Sequence, residues 1–136
     1  MLRGSLRRDM PDAPQWLKDM VANGKLGKKT GKGLYEWKDG HAVKSHDDDA
    51  PPPDVIDRLI LPMLDACMTC LREGIVADEQ VLDGAMIFAT GFAPFRGGPM
   101  HYARTRGFAD IRETLKRLAG QYGPRFQPDS GWDDRQ

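Results

Sequence analysis

The chain has 136 residues, with Lys and Arg balancing Asp and Glu at twenty each. This is the length of one ordinary domain, too short for a dinucleotide-binding domain and a substrate domain together. The zero net charge does not favour nucleic acid or an anionic membrane surface as partner.

The sign of the charge is uneven along the chain. Residues 1–40 carry nine Lys or Arg against five Asp or Glu, and the rest carries eleven against fifteen. The two parts therefore have opposite net charge, which would help them dock. Cys67 and Cys70 are the only cysteines, so no secreted disulfide framework is expected. Arg3, Arg7 and Arg8 are not followed by an apolar signal-peptide core. No apolar run approaches the roughly 20 residues that span a bilayer. These features predict a reducing, cytoplasmic location and no membrane span.

Met1 to Asp9 shows no period and reads as a frayed or trimmed start. The first element begins near Pro14, where Trp16, Leu17, Met20 and Val21 recur at helical spacing. Asp12 or Ala13 is expected at its start, Pro14 in its first turn and Gly24 at its C-terminal cap. A loop rich in glycine and lysine follows, Gly24 to Gly33. Leu34 to Trp37 reads as extended, Lys38-Asp39-Gly40 as a turn, and Ala42 to Lys44 as a returning strand. Ser45 to Pro53, with Asp47-Asp48-Asp49 and Pro51-Pro52-Pro53, predicts a linker.

Four helices are expected after it. Asp54 would cap the first, with an apolar stripe of Ile56, Leu59, Ile60, Met63, Cys67, Cys70 and Leu71, interrupted by Pro62 and ended by Gly74. Asp78 would cap the second, burying Val81, Leu82, Ala85, Met86, Phe88 and Ala89 before Gly91. A short helix is expected around Met100 to Thr105. The last would open on a capping box, Asp110 with Glu113, and bury Ile111, Leu115, Leu118 and Tyr122 before Gly123-Pro124. From Gln127 the tail reads as polar and loose, apart from Trp132. The fold class is thus mainly α, a small helical bundle preceded by a short helix and a β-hairpin.

Three stretches resemble the C-terminal domains of 3-hydroxyacyl-CoA dehydrogenases. They are GKLGKKTGKGLYEW at 24–37, the long stretch from Pro62 to Gly107 that contains GFAPFRGGP, and Tyr122 to Pro128. The resemblance implies the C-terminal region of the multifunctional fatty-acid-oxidation enzyme of the alpha-subunit type. Residues 1–44 would then be the tail of a preceding C-terminal domain, 45–53 a linker, 54–128 the helical C-terminal domain and 129–136 a loose tail. In that family NAD and the catalytic histidine and glutamate belong to an N-terminal domain. No strand followed by Gly-x-Gly-x-x-Gly occurs here. The family's asparagine at the head of the first helix is matched by Asp57, and its Asn-Glu pair by Asp65-Ala66. The departure at Asp57 implies a copy that serves no catalytic site, and Ala66, which lacks a carboxylate, takes no role from the family's glutamate. The resemblance implies as partners the dinucleotide-binding and first C-terminal domains, a second copy through self-association, and a thiolase subunit.

No residue of the chain is therefore assigned a catalytic, cofactor-binding or metal-binding role, and NAD belongs to the parent enzyme. Several residues still invite a functional reading. Lys25, Lys28, Lys29 and Lys32 could meet a coenzyme A phosphate, but Gly31-Lys32-Gly33 is not a Walker A ending, and a solvated loop is preferred. Cys67 and Cys70 read as buried small hydrophobes, and His41, His46 and His101 lack metal-ligand spacing with them. His101 reads as a helix-surface residue. Arg96 could fasten its own loop or bind a ligand phosphate, and the first is preferred. Phe92, Pro94 and Phe95 are expected to lock that loop against the second helix. An alternative function is a small module that binds acyl-CoA or a protein. A standalone redox enzyme or isomerase would rest on the cysteine pair and His101 alone.

Overall fold

A computed structural model describes residues 12–44 and 50–135. The expectations for Met1 to Asp9 and for the acidic run Asp47 to Asp49 lie outside the described residues. The chain falls into two compact units, Met1–Asp49 and Ala50–Gln136.

In the first unit, α1 spans Gln15–Ala22. Pro14 is extended (φ −60°, ψ 150°) and occupies the cap position, so the helix starts one residue later than the sequence suggested. Its carbonyl accepts from the Leu17 and Lys18 amides. At the other end the Lys25 amide reaches back to the Met20 carbonyl at 2.9 Å, a Schellman closure built on Gly24 at φ +70°.

The Gly-Lys loop is organised by its own backbone and Thr30. The Thr30 hydroxyl accepts from the Leu26 amide at 3.0 Å and lies 3.1 Å from the Lys32 carbonyl. Gly33 packs so closely that a Cβ there would sit 2.6 Å from Gly27 Cα. The strands are β1 (Glu36–Lys38) and β2 (His41–Val43), antiparallel, with Trp37 opposite Ala42. Asp39 and Gly40 both have positive φ, 51° and 78°, the type I′ geometry that the Asp-Gly pair predicts. Leu34 and Tyr35 stay outside the ladder. No described residue of this unit is buried.

The second unit is a bundle of four helices: α2 (Val55–Arg72), α3 (Glu79–Thr90), α4 (Pro99–Arg106) and α5 (Phe108–Tyr122). Its core joins Leu61, Leu64 and Met68 of α2 to Met100 of α4 and to Ile111, Leu115 and Leu118 of α5. Each fully buried Leu or Ile contributes about 1.5–3 kcal/mol. The mainly α class, the short helix and the hairpin are as the sequence predicts.

Several expected details are corrected. Asp54 stands at the head of α2 but makes no capping bond. Its carboxylate instead accepts from the Tyr122 hydroxyl at 2.8 Å. The buried stripe of α2 is Leu61, Leu64, Asp65 and Met68, with Cys67 at its edge. Ile56 and Leu59 of the expected stripe are exposed. The helix is apolar on two faces, so periodicity could not say which one meets the core. The helix continues through Pro62, which has no amide N–H to give its hydrogen-bond ladder.

On α3 only Leu82 is fully buried, with Met86 half-buried against the core. Val81, Ala85, Phe88 and Ala89 face outward. Asp78 does cap this helix, accepting from the Val81 amide at 2.8 Å.

α5 has no capping box. Gly107 alone links it to α4, and the helix starts at the buried Phe108. That places Asp110 and Glu113 inside the helix, where they pair with Arg106 and Lys116. Tyr122, expected inside, is 42% exposed.

The tail is held, contrary to expectation. Ser130–Trp132 forms a 3-10 turn and Trp132 is only 1% exposed. The Asp65 carboxylate accepts from the Asp129 amide at 2.7 Å and from the Trp132 indole at 2.9 Å. Asp129 in turn takes the Arg72 guanidinium at 2.8 and 3.0 Å and the Thr69 hydroxyl.

Candidate functional site: an apolar outer surface and its supports

The loop from Gly91 to Gly98 is positioned by α3. The Asp83 carboxylate accepts from the Met100 amide at 2.6 Å and the His101 amide at 3.0 Å, so it caps α4 from a neighbouring helix. Gly98 lies against this carboxylate, and a Cβ there would come within 2.4 Å of it. Asp83 was not singled out in the sequence. Its only signal is a carboxylate on a helix that packs against the start of another.

Phe95 and Pro94 do not lock the loop, since both are exposed. A Pro94–Arg96 3-10 turn and the Asp83 cap shape it instead. The Arg96 guanidinium lies 5.6 Å from the centre of the Phe95 ring and 5.8 Å from that of Tyr102. Its backbone carbonyl is 3.2 Å from Nδ1 of the exposed His101. Among the described residues, no carboxylate pairs with Arg96.

Between the first turns of α2 and this loop lies a groove of about 290 Å3, lined by Ile56, Ile60, Phe92, Ala93, Arg96 and Tyr102. Leu59, Phe88 and Phe95, exposed at 70, 92 and 84%, add to the outward apolar surface of the unit. Where such side chains lie together they mark an interaction face.

Asp57 is committed elsewhere. Arg106 grips it with two nitrogens, at 2.5 and 3.1 Å, and also holds Asp110 at 2.8 Å. The Arg106 hydrogen bond keeps the Asp57 carboxyl below its ordinary range, and the same bond raises the guanidinium. This arrangement fastens α2 to α4.

Two lysines of the Gly-Lys loop are engaged within their own unit. Lys32 pairs with Glu36 at 2.6 Å, and Lys28 lies over the Trp37 ring at 5.9 Å. Cys67 is buried and Cys70 half-buried, and burial pushes the Cys67 thiol up to about 11. An inert hydrophobe fits this setting better than a redox centre. Among the described residues no three His, Cys, Asp or Glu side chains group to hold a metal. No helix among them is long and apolar enough to cross a membrane.

As a class, this is a small helical bundle with several exposed large apolar side chains, in a chain that also carries a separate helix-and-hairpin unit. No family model matches the chain. It is similar to part of the fatty acid oxidation complex subunit alpha of Shewanella loihica, at 34% identity over 128 residues, 85% of this chain and 18% of the relative. The corresponding subunit of Idiomarina loihiensis is 30% identical over 147 aligned residues, 92% of this chain and 20% of the relative. The chain is homologous to a part of that subunit, and spans about a fifth of the length of the curated relatives it matches.

Proposed function

We propose that the chain is the C-terminal, domain-packing part of an NAD-dependent 3-hydroxyacyl-CoA dehydrogenase of fatty-acid oxidation, with its catalytic residues elsewhere in the polypeptide. In this reading residues 1–44 end a preceding C-terminal domain, 45–53 link, and the helical domain starts at 54. Trp132, from the tail after residue 128, packs into the core of that unit. NAD, held outside this chain, would accept the hydride removed from the 3-hydroxyl. A thiolase subunit would be a partner of the whole.

The observation that carries this reading is the outward apolar surface around Ile56, Leu59, Phe88 and Phe95, on a chain homologous to part of a larger subunit. The first unit supports it too, since Trp16, Leu34 and Tyr35 are exposed and lack a core of their own. Without its mate, the apolar surface would drive self-association.

Two measurements test the reading. The purified chain, given a 3-hydroxyacyl-CoA and NAD, should form no NADH above a blank, and turnover would overturn the non-catalytic assignment. The native polypeptide in cell extract should have a mass well above the 15.2 kDa of this chain.

A second reading, a small acyl-CoA-binding module, is favoured by one feature. A hollow of about 370 Å3 in the first unit is lined by Leu17, Met20, Val21, Leu34 and Trp37, with Lys25 beside them. Titration with acyl-CoA at moderate salt decides it, and absence of binding at high micromolar ligand excludes it.

A further inference from the structure

We propose that residues 129–135 form a strap that opens from the helical bundle as one unit, at lower cost than unfolding of the helices, and that ionic strength sets how often it opens. The strap does not depend on what the parent polypeptide does.

Side chains fasten it. Its backbone hydrogen bonds, from the Trp132 amide to the Asp129 carbonyl and from the Asp133 amide to the Ser130 carbonyl, stay inside the strap. Among the described residues none joins its backbone to the backbone of a helix. The ties outward are Asp129 to Arg72, Asp133 to Arg112 at 3.1 Å, Arg135 to Glu79, and the hydrogen bonds to Thr69 and Asp65. Three of these are ion pairs, and their arginine side chains are 39, 32 and 35% exposed. Water weakens pairs so open, and salt weakens them further. The one large apolar side chain of the strap is Trp132, tilted against Phe108.

The chain before the strap supplies a hinge. Phe126 is fully buried and stays with the bundle. The Gln127 amide bonds to the Pro124 carbonyl, and Gln127 is extended. Pro128 has no amide to give. Rotation about the Gln127 backbone therefore swings residues 129–135 together. Opening would bare Met68, Phe108 and the Asp65 carboxylate, an apolar surface with an acceptor set in it. Asp65 is 4% exposed when the strap is closed. Its return to water offsets part of the loss of the Trp132 contact.

Hydrogen exchange in the whole chain, read by NMR, tests this. The Trp132 indole and the Asp129 amide report on the strap, since both donate to Asp65 of α2. The amides of Leu115 and Leu118, buried in α5, report on the bundle. Protection of the strap reporters should be at least about tenfold lower and nearly independent of dilute urea. Raising NaCl from about 0.05 M to about 0.5 M should lower it about threefold further, with Leu115 and Leu118 unchanged. Arg72→Gln should lower it about fivefold, and Arg72→Lys should do so less. Lys116→Gln, which breaks an exposed pair within α5, should leave the strap reporters alone. Strap reporters that share the protection and urea dependence of Leu115 and Leu118 overturn the proposal. So does strap protection indifferent to salt or to Arg72→Gln, or an Arg72→Gln effect equal at all four reporters.

Discussion

The Asp65 carboxylate and the Trp132 indole meet at 2.9 Å in the buried interior, although 67 residues separate them. The same oxygen accepts the Asp129 amide. This pair ties the last turn of the chain to the middle of α2, and the Trp132 ring adds apolar contact with Phe108, centre to centre at 6.1 Å. Trp132→Ala should destabilise the second unit by about 3–5 kcal/mol. Asp65→Ala should cost about 2–4 kcal/mol, because it strands the buried Trp132 indole N–H and the part-buried Asp129 amide. Urea denaturation checks both. Removal of residues 129–136 should lower the midpoint as well, and an unchanged midpoint would mean the tail is not part of the fold.

Asp83 and Gly98 form the second critical contact. Gly98→Ala should destabilise on the order of 2 kcal/mol, since Cβ would collide with the Asp83 carboxylate at a backbone φ of 105° that disfavours L side chains. Asp83→Ala should have an effect of the same direction by freeing the Met100 and His101 amides. Near-UV circular dichroism with thermal melting would show whether α4 loosens first.

The acid limb of stability should report Asp129 and Asp57. Hydrogen bonds from Arg72 and Arg106, respectively, hold their carboxyl groups below the ordinary value of 3.8. A depressed folded value means stability that is fully present above the unfolded value and lost as pH falls through the folded one. Urea midpoints measured from about pH 5 down to about pH 2 should therefore fall over the lower part of that range. Asp129→Asn should flatten the fall while lowering stability at neutral pH. An identical acid slope in the variant would remove Asp129 from the account.

Cys67 should resist alkylation in the native state. Its thiol is buried and raised to about 11, so little thiolate exists at neutral pH. Iodoacetamide should label it at the rate of unfolding, with a steep rise through the urea transition. Rapid labelling of Cys67 in native conditions would show that α2 is open there.

The outward surface should make the isolated chain self-associate with concentration. Phe88→Ser and Leu59→Ser should each shift sedimentation toward monomer, with stability changed by less than about 0.5 kcal/mol, because both side chains lie outside the core. A clean monomer at high concentration of the unaltered chain would contradict the exposed-face argument.

The sequence by itself determined the elements and most of their ends. Gly24 and Gly91 close helices at positive φ, Asp78 caps α3, and Asp39-Gly40 makes the hairpin turn. Each is a local matter of dihedral preference or of a side chain reaching an amide a few residues away. The groove and the apolar surface were only half legible: Arg96 stood out, whereas the exposure of Ile56, Leu59 and Phe88 did not. Tertiary structure alone decided which of two apolar faces of α2 enters the core, because helical spacing satisfies both. It also decided that Asp54 serves Tyr122, that Asp57 serves Arg106 and that Asp65 holds Trp132. Those partners lie 49 to 68 residues apart, and only the packing of the helices brings them within hydrogen-bonding distance.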